Sequence, residues 1–217
     1  MLNAIESLAR LQEGNRRFVA NHLESHALGP ARRAALVAGQ EPFAIILGCS
    51  DSRVPAELVF DQGFGDLFVI RVAGNIVAPS QIGSIEFAAS RFGTRLVVVM
   101  GHSQCGAVTA TLEELMGRTT STSPNLRDIV DRVRPSVEPL MNGHRDMDLD
   151  ALMSEAVRAN VRASVNHVRD GSALLRDLIE KSGLVVVGAE YSLHSGVVDF
   201  FEGVPVAPDG GFRWSSE

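Results

Sequence analysis

The stretch FAIILGCSDSR, Phe43–Arg53, decides the fold class, because a continuous apolar run ends abruptly in small and polar residues. Such a run is typical of a strand that is covered on both faces of a parallel sheet. The same pattern returns in LVVVMGHSQCG, Leu96–Gly106. Similar runs at Leu67–Val72 and Leu184–Val187 predict two more strands, and Gly196–Phe201 predicts a shorter edge strand.

Helical patterns fill the intervals between these runs. The predicted helices cover residues 2–20, 31–38, 81–92, 104–116, 125–141, 149–168 and 172–182. This alternation predicts an α/β fold with a mainly parallel central sheet flanked by helices. We expect a single domain over 1–217, divided into an N-terminal helical arm at 1–38 and an α/β core at 39–217. The apolar stripe of the arm has no obvious covering element in its own chain.

Composition excludes several classes of protein. The 20 Lys and Arg residues against 26 Asp and Glu residues give a net charge of −6, which argues against a nucleic-acid partner. No apolar run approaches the ~20 residues needed to cross a membrane, and the N-terminal segment lacks the apolar region of a secretory signal. The 2 cysteines are too few for a disulfide framework. The sequence therefore predicts a soluble, cytoplasmic protein.

The two cysteines follow two different strands. Cys49 comes directly after the first predicted strand, and His102 and Cys105 come directly after the strand at Leu96–Met100. Ligands of open parallel sheets bind beyond the carboxyl ends of the strands, so we expect these three side chains to lie together. Two thiolates and an imidazole suit zinc, and three protein ligands leave a fourth tetrahedral position open, as in catalytic zinc sites. The other histidines fall on polar segments and are expected to be solvated: His22, His26, His144, His167 and His194.

Asp51 and Arg53 alternate along an extended segment next to Cys49. A carboxylate beside an open zinc position could accept the proton of a zinc-bound hydroxide, or it could occupy that position itself. Arg53 could hold this carboxylate through a bidentate, charge-assisted pair. The alternative interpretation is a surface turn with an Asp–Arg pair that contributes little to stability.

These motifs together resemble the β-class carbonic anhydrases, and the resemblance covers nearly the whole chain. The segments that carry it are CSDSRVPAE at Cys49–Glu57, GHSQCGAV at Gly101–Val108, FVIRVAGN at Phe68–Asn75, GSIEFA at Gly83–Ala88 and LQEGNRRF at Leu11–Phe18. The resemblance implies a zinc enzyme that catalyses the reversible hydration of CO2 to bicarbonate and a proton through a zinc-bound hydroxide.

The resemblance also assigns roles to single residues. It implies one Zn²⁺ per chain on Cys49, His102 and Cys105, with Asp51 and Arg53 as the catalytic pair and Asp51 as a fourth ligand in a closed form. The residues implied to bind substrate are Gln40, Phe68, Ala73, Phe87 and Gly106. It further implies a homo-oligomer, a dimer or a tetramer, in which the N-terminal arm packs on a partner subunit and the active site lies at the interface.

Two questions remain open in the sequence. Closed-form members of the family with a bicarbonate regulatory site place a tryptophan where this chain has Ile46, and the one tryptophan here is Trp214; this favours the open type. Arg71 and Tyr191, however, match other parts of that regulatory site. The alternatives in function are a carbonyl sulfide or carbon disulfide hydrolase with the same zinc site, a nonenzymatic bicarbonate-binding or zinc-scaffold protein, and an enzyme with Cys49 as a metal-free nucleophile.

Overall fold

A computed structural model describes residues 2–24, 28–119, 123–143 and 148–205. His26, His144 and Trp214 lie outside these ranges. The described residues form a five-stranded sheet of order β2-β1-β3-β4-β5. The strands are β1 (Ala44–Gly48), β2 (Leu67–Arg71), β3 (Leu96–His102), β4 (Val185–Tyr191) and β5 (Val198–Glu202). The first four are parallel and β5 is antiparallel to β4, which confirms the predicted α/β fold.

Helices cover both faces of this sheet. They are α1 (Ala4–Val19), α2 (Pro30–Leu36), α3 (Ala56–Val59), α4 (Pro79–Arg91), α5 (Gly106–Leu115), α6 (Pro124–Gly143), α7 (Leu149–Asp170) and α8 (Ala173–Ser182), with a 3-10 turn at Ala73–Asn75. On one face, Ile46 and its neighbours pack against α1 and α3. On the other face, Ile45 and Leu47 pack against α4, α7 and α8. None of the helices in the described ranges is long and apolar enough to cross a membrane.

Two strands extend beyond their apolar runs. Strand β3 continues to His102 and β4 continues to Tyr191, and these two residues are in register with each other. Backbone pairing continues through Gly101 opposite Glu190, because the ladder depends on peptide groups and tolerates polar side chains at its end. His102 is therefore fixed as the last residue of a strand, whereas the sequence pattern ends that strand at Met100.

The structure corrects the expectation that the apolar stripe of the N-terminal arm has no covering element in its own chain. Helix α1 begins at a capping box of Asn3 and Glu6, and its buried Leu8 and Leu11 belong to the same cluster as Phe60. The sequence pattern misses this cover because α3, the short helix that supplies part of it, has only four residues. The contacts of the arm with a partner subunit remain a prediction.

A buried asparagine fixes α1 to the rest of the chain. Asn15 donates from Nδ2 to the carbonyl oxygens of Val59, at 3.1 Å, and Gly196, at 2.9 Å, and it accepts from the Val198 N–H at 2.9 Å. Directly before it in the chain, Gly14 lies so close to Phe60 that a Cβ at this position would be 1.8 Å from the Phe60 carbonyl oxygen. Gly14 therefore allows the close contact between α1 and the backbone of Phe60.

Candidate metal centre

The carboxyl ends of β1 and β3 bring the two cysteines together. Cys49 follows the last residue of β1, His102 is the last residue of β3, and Cys105 directly precedes α5. The two strands are adjacent and parallel, with Gly48 opposite Met100, so their ends share one edge of the sheet. The ligand atoms of the two cysteines and the histidine all lie within 4.8 Å of one another. This confirms that the three side chains meet.

His102 presents one nitrogen to the two sulfur atoms. Its side chain is fully buried, and Nδ1 lies 2.9 Å from the carbonyl oxygen of Ser103, so Nδ1–H donates to that oxygen. Nε2 is buried and has no hydrogen-bond partner within the part of the chain that the structure describes. A buried polar atom without a partner is costly, and a metal ion at this position would satisfy it. The donor set therefore fits a zinc ion.

The three donor groups shift one another's pKa values. The sulfur atoms of Cys49 and Cys105 are 4.0 Å apart, and the hydrogen bond from Cys105 lowers the pKa of Cys49 to about 4, against the opposing effect of burial. The same hydrogen bond, together with burial, raises the pKa of Cys105. Burial lowers the pKa of His102, but the interaction with the nearby Cys49 sulfur outweighs it, so its pKa is raised. A bound cation would displace protons from these groups.

Asp51 and Arg53 form the bidentate pair that the sequence predicts. Arg53 donates from Nε to Oδ1 at 2.9 Å and from its guanidinium NH2 to Oδ2 at 2.7 Å, and its backbone N–H also donates to Oδ1 at 2.9 Å. These hydrogen bonds hold the pKa of Asp51 well below its usual range. The Oδ2 atom lies 3.9 Å from Nε2 of His102, so the carboxylate is anchored beside the three donor atoms.

Two further residues hold this site, and their roles leave little mark in the sequence. Arg71, at the end of β2, donates from Nε to the carbonyl oxygen of Cys49 at 3.0 Å and also contacts the carbonyl of Asp51. The backbone N–H of Gly74 donates to Sγ of Cys49 at 3.3 Å. Both residues lie within the FVIRVAGN segment. Arg71 donates to backbone carbonyls and Gly74 donates from its own backbone, and such contacts have no characteristic sequence pattern.

The five predicted substrate residues divide into two groups. Ala73 opens the 3-10 turn that reaches Cys49, and Gly106 begins α5 directly after Cys105, so both adjoin the three donor atoms. The structure does not bring Gln40, Phe68 and Phe87 to this end of the sheet within one chain.

Gln40 precedes β1, whereas Cys49 follows it, so the two residues lie at opposite ends of the strand. Gln40 is exposed and lines a surface depression beside Asp66. Phe68 lies near the start of the edge strand β2, and its ring centroid is 6.3 Å from that of Phe87. Phe87 is 55% exposed. The three residues thus belong to an open surface along the β2 edge.

Comparison with known proteins gives one consistent result. The family model described as carbonic anhydrase matches residues 44–198. The chain is 39% identical to carbonic anhydrase 2 of Mycobacterium tuberculosis over 89% of this chain and 91% of that protein. It is 37% identical to the carbonic anhydrase of Mycolicibacterium smegmatis over 91% of this chain and 93% of that protein. Among solved structures, tetrameric β-carbonic anhydrases of Sordaria macrospora match with a TM-score of 0.72 and 25% identity, over 79% of this chain and 86% of that chain.

Proposed function

This chain belongs to the β-carbonic anhydrase family and catalyses the reversible hydration of CO2, and we propose that Cys49, His102 and Cys105 hold the zinc ion of that reaction. The observation that supports these ligands is the buried cluster of two sulfur atoms and one unpartnered imidazole nitrogen. When bound there, zinc supplies a Lewis acid that lowers the pKa of water from 15.7 to about 7 and so makes a nucleophile available at neutral pH.

The role that we assign to Asp51 is to orient the attacking water. Its carboxylate is charged at neutral pH, because Arg53 holds its pKa low, so it acts as a hydrogen-bond acceptor. Oδ2 is the oxygen nearer to His102 and can accept a proton donated by that water. Arg53 fixes both oxygens and stops the carboxylate from turning towards solvent.

The wall beside the cluster is apolar, which suits CO2, a small neutral molecule. Cys49 and Cys105 belong to a buried cluster that also contains Ile76, Val108 and Leu112. Such a wall offers no competing hydrogen bonds to a charged or strongly polar ligand. Ala73 and Gly106, at the two backbone turns that border the donor atoms, leave room for the substrate there.

We assign the remaining substrate residues to a neighbouring subunit of a homo-oligomer. Strand β2 is an edge of the parallel sheet, and an exposed edge strand readily pairs with a second copy. If a two-fold axis relates two β2 strands, the pairing is antiparallel, and the amino end of one strand lies at the carboxyl end of the other. Phe68 and Gln40 of one chain would then approach Arg71 and Ala73 of its partner.

A dimer built in this way, or a tetramer of two such dimers, completes the site. The solved Sordaria relatives are tetrameric, which supports an oligomer without deciding its size. A single monomeric species at micromolar concentration in light scattering would contradict this proposal. A site with two cysteine ligands also needs reduced thiols, which supports a cytoplasmic location.

The alternative functions are less well supported. The relatives reported above are named carbonic anhydrases, which favours CO2 over carbonyl sulfide or carbon disulfide as the substrate. A scaffold protein has no use for the anchored pair of Asp51 and Arg53. The ratio of carbonyl sulfide to CO2 turnover on one zinc-loaded preparation separates the two substrates, and we expect CO2 to dominate.

The decisive experiment compares metal content with stopped-flow CO2 hydration. We expect about one zinc per chain in the wild type, since each chain carries one complete donor set. Cys49→Ser should lose both zinc and activity. Arg53→Ala is the matched variant, because it leaves the three donor atoms in place: it should keep zinc and lose most of the activity. An active Cys49→Ser protein without bound metal would refute the assignment of ligands.

A further inference from the structure

Helix α7 carries two buried polar residues on an otherwise apolar face. Asn160 is 3% exposed and Ser164 is 5% exposed, and the neighbouring buried residues Val157, Val161 and Val165 are apolar. Because Asn160 and Ser164 are one helical turn apart, they lie on the same side of the helix. Burial of an amide and a hydroxyl group is costly unless both make hydrogen bonds, so their partners define their role.

Both partners belong to the 3-10 turn at Ala73–Asn75. Asn160 donates from Nδ2 to the carbonyl oxygen of Gly74 at 2.8 Å, and Ser164 donates from Oγ to the carbonyl oxygen of Asn75 at 3.1 Å. The N–H of Gly74 in turn donates to Sγ of Cys49 at 3.3 Å. Three successive peptide groups of the turn are therefore each fixed by a side chain from another element.

The turn needs this support because its backbone is strained. Gly74 has a φ of 68° and the next residue, Asn75, has a φ of 44°, so two consecutive residues are left-handed. A side-chain-bearing residue adopts this conformation at an energetic cost, and such a turn persists only where its surroundings hold it. The position is also tight, since a Cβ on Gly74 would lie 2.9 Å from Cβ of Ala107.

We propose that Asn160 and Ser164 are positioning residues for the metal centre, which hold the Ala73–Asn75 turn so that the Gly74 N–H stays directed at the Cys49 sulfur. This inference rests on the proposed role of Cys49 as a zinc ligand. A hydrogen bond to a thiolate withdraws charge from the sulfur and fixes its orientation, so it sets how strongly Cys49 donates to the metal. Helix α7 thereby acts on the metal without contacting it.

Cobalt substitution provides the test, because the thiolate-to-cobalt charge-transfer band reports directly on the sulfur. We expect Asn160→Ala to move this band to lower energy and to weaken zinc binding about tenfold or more in competition with a chelator. Ser164→Ala should move both quantities in the same direction by less. Since Ser164→Ala removes a single oxygen atom, it decides the question if Asn160→Ala does not fold.

Two control variants remove comparable hydrogen bonds elsewhere. Asn15→Ala deletes a buried amide that binds backbone carbonyls under α1, and Thr94→Val deletes a buried hydroxyl that donates to the carbonyl of Pro42 at 2.7 Å. Both should lower the melting temperature and leave the charge-transfer band and the zinc affinity unchanged. The inference is overturned if Asn160→Ala and Ser164→Ala behave as these controls do. If Cys49→Ser retains the wild-type band, the zinc ligand assignment itself fails.

Discussion

The metal end of the sheet and the β2 edge differ in how complete they are within one chain. At the metal end, the sulfur and nitrogen donors are buried within 4.8 Å of one another, and Asp51 is already paired with Arg53. Along the β2 edge, Gln40 is exposed and Phe87 is 55% exposed. Under the proposed function, metal binding is therefore a property of the single chain, whereas substrate binding depends on a second copy.

Removal of the metal should have the largest effect on activity. It should affect the metal end of the sheet and leave the β2 edge unchanged. A chelator-treated protein is expected to lose CO2 hydration by several orders of magnitude, because the nucleophile is no longer available at neutral pH. Its oligomeric state in light scattering should not change, since the β2 edge contains none of the three donor residues. Recovery of activity on addition of zinc is the control. Dissociation of the oligomer together with metal loss would show that the two regions are coupled.

Disruption of the β2 edge should give the opposite result. Phe87→Arg places a charge on the exposed aromatic surface, and we expect it to weaken subunit association by about 2 kcal/mol or more, as for a central interface residue. Zinc content per chain should stay at the wild-type value while activity falls along with the oligomer. Leu174→Arg is the matched control, because Leu174 is also exposed, at 43%, but lies on α8. Zinc loss in Phe87→Arg would contradict the independence of the metal end.

Mixed oligomers test whether Gln40 acts across the subunit boundary. Gln40→Ala should lower kcat/KM about tenfold, the effect of one lost hydrogen bond in the site, and Cys49→Ser should be inactive. In a dimer of one chain of each variant, the metal of the Gln40→Ala chain faces the intact Gln40 of its partner. We therefore expect that one of the two sites recovers full activity.

Stopped-flow assays on dimers that carry two different affinity tags provide the measurement. Activity of about half the wild-type value per dimer is the expected outcome, because one site of two is complete. The tagged wild-type dimer is the control for the tags and the purification. If Gln40 acted within its own chain, the activity of the mixed dimer would not exceed half the activity of the Gln40→Ala dimer.

The same contrast shows which parts of the molecule the sequence predicts. Apolar runs that end in Cys49 and His102 identify two buried strands and their shared end, because burial on both faces leaves a clear pattern. Gly74 acts through its backbone N–H, which leaves no pattern in the sequence. Asn160 lies 86 residues away from Gly74 along the chain, so their hydrogen bond is visible only in the folded structure. The cover of α1 is also invisible in the sequence, since it depends on a close approach at Gly14.

The smallest predicted effect concerns the pair of Asp51 and Arg53, which belongs to the metal end. Because Arg53 holds the pKa of Asp51 below its unfolded value of about 3.9, the pair stabilises the folded chain above that pH and ceases to do so as the pH falls through the folded pKa.

In the metal-free protein, Asp51→Asn should therefore be less stable than the wild type at pH 7 by up to about 1 kcal/mol in denaturant titrations. The difference should shrink as the pH falls below about 4. Arg53→Ala should also be less stable than the wild type at pH 7 and should converge with it over the same pH range, since either substitution breaks the pair. A difference that persists undiminished at acid pH would mean that the carboxylate is not anchored until the metal binds, and the metal end would then be less complete in one chain than its geometry indicates.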